Sequence, residues 1–313
     1  MGDQSRRGFL RMSGVAAAAL LASCSSGERG GDGEAGPVTV THIFGQTTVV
    51  QPPQRVVCAG YTGQDDLLAL GVVPVAVTDW FGEQPFAVWP WARQQLGDAK
   101  PVVLSLDNGI AVSQIADLKP DLIIATNAGV DAETYQKLSA IAPTVPQSGG
   151  EAFFEPWKVQ AAAIGMAVHR SQQMQALIDE VDTAFTDVAS AHPGFKDKKV
   201  LLLSGRLDRG NVSAATGWRT AFLTQMGLNV PEVPAVIERD RIGSVLGEAD
   251  VLIWTTESED ERAALLADPV IVRCEPRSVF TTRDQAGAIA FASPLSYRLV
   301  AGQLPGLIAK ITG

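Results

Sequence analysis

The sequence predicts an α/β protein of two Rossmann-like lobes with parallel central sheets, joined by one long helix. Three observations lead there. Short apolar strands alternate with helical runs before residue 150, and they do so again after residue 195. Strands separated by helices form parallel sheets with right-handed crossovers. Between the two sets runs a segment from Glu155 to His192 whose Met174, Leu177, Ile178, Val181, Phe185 and Val188 recur at spacings of three and four. Those residues share one helical stripe. Pro156 suits the first turn and Pro193-Gly194 stops the run. At about 1.5 Å per residue the helix would span on the order of 50 Å. A strut of that length between two α/β halves leaves a cleft between them. The competing arrangement is one larger α/β domain with its longest helix here.

The N-terminus reads as an address rather than a fold element. Ser5-Arg6-Arg7-Gly8-Phe9-Leu10-Arg11 has the form of a twin-arginine export signal. The apolar run Val15–Ala22 is too short to span a bilayer. Leu21-Ala22-Ser23-Cys24 then reads as a lipobox, with Cys24 the acylated first residue of a lipid-anchored protein on the outer face of the cytoplasmic membrane. Each lipid CH₂ buried contributes about 0.8 kcal/mol to such an anchor. The expected organisation is a signal peptide over 1–23, a flexible Gly/Ser/Glu/Asp-rich tether over 24–37, a first lobe over 38–150, a linking helix over 151–194 and a second lobe over 195–313.

The chain of 313 residues is 46% hydrophobic, enough for two packed cores, and its formal charge is −9. Loss of 1–23 removes Arg6, Arg7, Arg11 and Asp3, leaving 22 basic and 33 acidic groups and a charge of −11. An acidic body argues against a nucleic-acid surface. His42, His169 and His192 are far apart in sequence, and His42 is expected at the surface of an N-terminal hairpin. No cysteine or histidine spacing resembles a zinc site, which argues against capture of bare zinc or manganese. Cys58 reads as a core residue, and a bridge from it to Cys274 would tie the two lobes together.

In the first lobe, Val38–Ile43 and Thr47–Val50 form the hairpin, and Arg55–Ala59 is a buried strand. A helix over Gln64–Leu70 ends at Gly71, Val73–Val77 is the second strand and Val102–Leu106 the third. A helix through Ile115–Leu118 precedes the strand Leu122–Ala125. In the second lobe, strands are expected at Lys198–Leu203, Val251–Trp254 and Val279–Thr282, with helices at Trp218–Met226 and Glu259–Leu266. A terminal helix spans Ser293–Ile311, capped by Ser293 and kinked or interrupted at Pro305.

Ligands of open α/β sheets sit beyond the carboxyl ends of the strands. In the first lobe those ends carry Tyr61, Trp80 and Asn127, with Phe81, Trp89 and Trp91 close behind. In the second lobe Arg206 and Arg209 follow a strand, and Trp218 and Arg219 open a helix. The candidate ligand-binding set is Tyr61, Trp80, Trp89, Arg206, Arg209, Trp218 and Arg219. Tyr297, on the terminal helix, is assigned to packing. Enzyme motifs fail: Gly60-Tyr61-Thr62-Gly63 lacks the dinucleotide-binding glycine spacing, and Ser204-Gly205 lacks the nucleophile-elbow pattern.

Four stretches resemble a known family, the iron-siderophore- and haem-binding lipoproteins of bacterial ABC importers, ferric-citrate type. They are Pro52–Val57 followed by Asp66–Val75, Leu118–Ile123, Ile141–Val145 and Ser293–Ser296. The resemblance runs from about residue 38 to the end and is weaker over 232–277. It implies the helical-backbone architecture of class III periplasmic binding proteins, with a shallow cleft and little hinge motion. It implies a monomeric receptor without a resident cofactor that passes a ferric siderophore or haem to a permease. Aromatic faces and arginines suit such cargo. A tyrosinate from Tyr61 would be able to ligate haem iron. One acidic residue on each lobe docks the permease in that family, and Glu83 and Glu238 are the candidates. The alternative function is a ligand-free envelope scaffold of the same fold.

Overall fold

The computed structural model describes residues 36–313. The export signal, the lipobox and nearly all of the expected tether lie outside the described residues. An N-terminal hairpin pairs β1 (Val38–His42) with β2 (Gly45–Val49). The first lobe follows: β3 (Val56–Cys58), α1 (Gly63–Ala69), β4 (Ala76–Thr78), α2 (Arg93–Leu96), β5 (Val102–Leu104), α3 (Val112–Asp117), β6 (Leu122–Ala125), α4 (Ala132–Ser139) and β7 (Thr144–Pro146). Its five strands lie in the order β5-β4-β3-β6-β7 and are all parallel. β3 and β6 are buried throughout because helices cover both sides of the sheet.

Two helices span the molecule, α5 (Trp157–Ala167) and α6 (Ser171–Ala191). The expected single strut is therefore broken, and the break has a local cause. His169 adopts a left-handed conformation, φ 58°. Its N–H donates to Met166 O and that of Arg170 donates to Gly165 O. These are the paired bonds of a Schellman helix end, with histidine where glycine is usual. Gly165 lets the next helix approach, since a Cβ there would lie 2.6 Å from Met174 Cβ. α5 packs on α1 and β1 of the first lobe, and α6 packs on elements of the second. The expected stripe is present on α6, where Met174, Ile178, Val181 and Phe185 are buried. At about 1.5 Å per residue, α6 alone is roughly 32 Å long.

The second lobe comprises β8 (Val200–Asp208), β9 (Asn211–Ala214), α7 (Ala221–Gln225), β10 (Val236–Ile237), α8 (Ile242–Gly247), β11 (Val251–Thr255), α9 (Glu259–Leu266), β12 (Ser278–Phe280), α10 (Arg283–Phe291) and α11 (Ser296–Thr312). The strand order is β10-β9-β8-β11-β12. β8, β11 and β12 are parallel, while β9 and β10 run antiparallel to their neighbours. Those two strands on one side of the sheet depart from the expected pattern, and β8 runs five residues past its expected end. The expected helix from Trp218 is a 3₁₀ turn, Gly217–Thr220, leading into the short α7. The last helix begins at Ser296 rather than Ser293, with Leu295 at its N-cap position. Ser293 Oγ accepts from Ser296 N–H at 3.0 Å in the turn that leads into it. Pro305 sits inside α11 without interrupting it. Tyr297 is buried in packing, edge-on to Trp157 and Phe185.

His42 is not at the surface. It is 5% exposed, within hydrogen-bonding distance of Thr47 Oγ1 (3.0 Å) and Tyr135 Oη (3.3 Å), because the hairpin folds back onto the lobe. Cys58 and Cys274 are both buried and free. Burial pushes the Cys58 thiol up to about 12, so it remains protonated in the sheet.

The lobes meet through buried groups. Trp89 is 1% exposed and sits between the two lobes. A Cβ at Gly82 would come 2.4 Å from its ring, and one at Gly287 of α10 would come 2.6 Å from it. Trp91 stacks on Trp89 at 4.9 Å, and both rings meet Phe291 at the end of α10. Asp65 Oδ2 accepts hydrogen bonds from Trp91 Nε1 (2.7 Å) and from Ser293 Oγ of the second lobe (2.8 Å). Asp66 Oδ2 accepts one from Gln160 Nε2 (2.9 Å). Burial pushes Asp65 up to about 6 against the pull of those hydrogen bonds, and it raises Asp66 too.

Between an unfolded value near 4 and about 6, native Asp65 holds protons that the unfolded chain has lost. Stability therefore falls as pH rises through that window, and it stays lower above it. Two pH units correspond to roughly 3 kcal/mol. Urea unfolding at pH 4.5 and 7.5 should show part of this loss, and Asp65→Asn should flatten it. An equal pH dependence in the variant would refute the assignment.

Candidate functional site

Both sheets present their carboxyl ends toward the junction of the lobes, and each end is built on a close backbone crossing. At Gly60, after β3, a Cβ would lie 1.9 Å from Thr126 O. At Gly205, inside β8, it would lie 2.4 Å from Thr255 O. Glycine at these two points allows the neighbouring backbone to close in beside the site. Asn127, left-handed at φ 53°, organises the first lobe's rim. Its Nδ2 donates to Tyr61 O (3.2 Å) and Thr62 Oγ1 (3.3 Å), and its Oδ1 accepts from Phe154 N (2.9 Å). Phe154 is itself held at φ 59°. One amide side chain thus ties the turn after β3 to the loop before α5.

The rim is aromatic. Tyr61 stacks on Trp80 at 5.6 Å and on Phe153 at 6.0 Å. Trp80 meets Phe81 at 4.6 Å and Phe154 at 4.9 Å. Phe153 is 44% exposed, an unusual position for so large an apolar ring. Phe81 carries the wall into a cavity of about 400 Å³, the rest of which is lined by the second lobe: Leu203 and Ser204 of β8, Ala214 of β9, Thr255 of β11 and Ile289 of α10, among others. Trp218 and Arg219, from the 3₁₀ turn before α7, also line it, as does Glu257. The Arg219 guanidinium lies 4.8 Å from the Phe154 ring and 5.2 Å from that of Trp218. Partial desolvation lowers its pKa, while Glu151 acts the other way.

Of the seven candidate ligand residues, the structure gathers four around this cavity and its rim: Tyr61, Trp80, Trp218 and Arg219. Three are elsewhere. Trp89 is the buried wedge between the lobes, with no surface left for a ligand. Arg206 lies on the unexpected extension of β8, is 71% exposed, and pairs with Glu261 of α9 at 2.5 Å. Arg209 is exposed in the β8–β9 turn at φ 51° and does not line the cavity. Both arginines were misplaced for one reason: the strand continues where the sequence reading ended it. Phe153, Phe154, Phe291 and Glu257 were missed. The paired phenylalanines just before Pro156 were the available signal, hidden by assigning that stretch to the approach of the linking helix.

Tyr61 carries the phenol group of the rim. Burial and the carboxylates of Asp107 and Asp79 all raise its pKa. Glu83 and Glu238 are both exposed, one on each lobe. Among the described residues, no group of three or more His, Cys, Asp or Glu is placed to hold a metal ion, and no helix is long and apolar enough to cross a membrane.

Residues 56–266 match the sequence model of the periplasmic binding proteins. The chain belongs to that family. It is a family of binding proteins, and the architecture described above is that of its class III members. This binding protein is 63% identical to a periplasmic solute binding protein of Mycobacterium smegmatis whose crystal structure superposes with a TM-score of 0.88, covering 90% of this chain and all of the other. It is 30% identical over 206 residues to the Fe(3+) dicitrate-binding periplasmic protein FecB of Escherichia coli, covering 66% of each chain. It is 29% identical over 219 residues to YfiY of Bacillus subtilis, described as a probable siderophore-binding lipoprotein, covering 68% of this chain and 64% of that one. The matched segments thus span about two thirds of the length of these two curated relatives.

Trp89→Ala should cost about 3–5 kcal/mol of stability, because it empties a packed contact between the lobes. Arg206→Ala should cost less than about 1 kcal/mol, as expected for an exposed ion pair. Chemical denaturation of the two variants checks the contrast. A Trp89→Ala protein as stable as the parent would show that the wedge does not hold the lobes together.

Proposed function

We propose that this chain is a lipid-anchored receptor that captures a ferric siderophore outside the cytoplasmic membrane and delivers it to an ABC permease for iron uptake. The observation that carries this reading is the second lobe's cavity where Phe81 of the first lobe reaches it: mostly apolar walls, an aromatic rim and a partly desolvated arginine. A ferric siderophore is a bulky chelate with broad apolar faces, which suit ring contacts. The names of the two curated relatives support the substrate class.

Haem is a second reading, favoured by the stacked rings of Tyr61, Trp80 and Phe153 near Arg219, which suit a macrocycle bearing propionates. In that reading Tyr61 at the rim would be the residue to bond haem iron, the metal's own charge favouring the ionised phenol. In either reading the protein works as a monomer without a resident cofactor. Cys24 carries the lipid, and Glu83 and Glu238 meet basic residues of the permease.

Tryptophan fluorescence titrations of the chain from Ser25 onward, with ferric siderophores of each chemical class and with hemin in parallel, test the proposal. Saturable quenching by one class at micromolar or tighter affinity is expected. Flat traces from folded protein would favour a ligand-free scaffold instead. Tyr61→Ala should weaken that affinity about tenfold or more with little loss of stability, and an unchanged affinity would remove Tyr61 from the site.

Cys24→Ala should move the protein from the membrane fraction to the soluble fraction. Retention in the membrane would show that another element anchors it.

A further inference from the structure

The charges around the cavity bear on which cargo fits. We propose that the site selects ferric complexes of low net charge, either neutral or bearing a single anionic group, and rejects trianionic complexes. This rests on the receptor reading above and narrows it.

The sequence offered three arginines to an anionic ligand, and the structure leaves one. Arg206 is committed to Glu261 on the exposed side of β8, and Arg209 stands in a hairpin turn. Among the described residues lining the cavity, Arg219 is the only cation. Its contacts are with the rings of Phe154 and Trp218, and neither contact uses its N–H donors. Those donors provide one seat for one anionic oxygen pair.

A carboxylate shares the lining with it, and others act on the rim. Glu257 lines the cavity. Glu151 is near enough to Arg219 to act on its charge. Asp79 and Asp107 act on Tyr61 at the rim. The lining therefore holds one positive and one negative group. Three further carboxylates act from outside it, and Arg206 acts on Glu257 from the extension of β8. Screening acts over about 8 Å at physiological ionic strength, so carboxylates at a cleft rim are not hidden from a charge entering it.

The walls add to this. A multiply charged complex entering an apolar cavity gives up water that these side chains do not replace. A neutral complex loses far less and gains ring contacts over its whole surface. A haem-like ligand has one seat for a propionate and must leave the other in solvent.

The test uses the full chain in detergent, with tryptophan quenching by three probes: a neutral ferric trihydroxamate, ferric dicitrate and a trianionic ferric tricatecholate. The trihydroxamate should bind at least about 30-fold more tightly than the tricatecholate at 0.15 M salt. The ratio should narrow as salt rises to 0.5 M. It should also narrow about fivefold or more in a protein carrying Asp79→Asn, Asp107→Asn and Glu257→Gln, since these changes remove the repulsion. Tricatecholate or dicitrate binding as tightly as the neutral complex would overturn the proposal and leave the receptor reading intact. A ratio that responds to neither salt nor the triple substitution would also overturn it, by showing that shape rather than charge discriminates. Absence of binding by all three, with hemin also silent, would overturn the receptor reading and this inference with it.

Discussion

The arrangement of the site depends on one packed contact, the insertion of the Trp89 indole between Gly82 of the first lobe and Gly287 of the second. Neither glycine can gain a side chain without meeting the ring, so the lobes approach to van der Waals distance there. Trp91 and Phe291 widen the contact, and Asp65 binds it to Ser293 by a buried hydrogen bond. Phe81 then reaches the second lobe's cavity from a fixed distance, and Trp80 and Tyr61 follow it as a stacked rim. The site is therefore assembled by lobe packing as much as by the strand ends that carry its residues.

The same interface explains why Asp65 and Asp66 stand in the first turn of α1 although burial opposes their ionisation. A helix start favours negative charge, and the side-chain donors around both residues satisfy one oxygen each. Buried acids of this kind are costly unless they hold a geometry. Here the geometry is the angle between two sheets, set at the one place where α1, the Trp89–Trp91 loop and the turn before α11 converge.

Much of the first lobe was legible because its central strands β3 and β6 are short, fully apolar runs set apart by helical stretches. Tyr61 and Trp80 could be placed at the site from strand-end logic alone. The second lobe was less legible where its topology departs from strict alternation. β9 is four residues and β10 only two, and neither has a period long enough to register. With β9 unseen, the end of β8 was placed too early, and Arg206 and Arg209 were carried into the site with it. The break at His169 was hidden for a different reason. A Schellman end usually announces itself with glycine, and the left-handed residue here is a histidine whose backbone bonds close the helix. Trp89 was read as a ligand residue because an aromatic beside other aromatics looks the same in sequence whether it faces a cleft or fills a seam.

The break between α5 and α6 also separates two mechanical roles. Because α5 belongs with the first lobe and α6 with the second, the spanning segment is not a spring stretched across a hinge but two fixed beams bolted at Gly165 and Met174. Domains that close like a jaw can announce an occupied state by changing shape. Packing at the Trp89 seam and at the Gly165–Met174 crossing opposes such a gesture, which shifts the weight of any signal to the opening itself, where Phe153 is exposed.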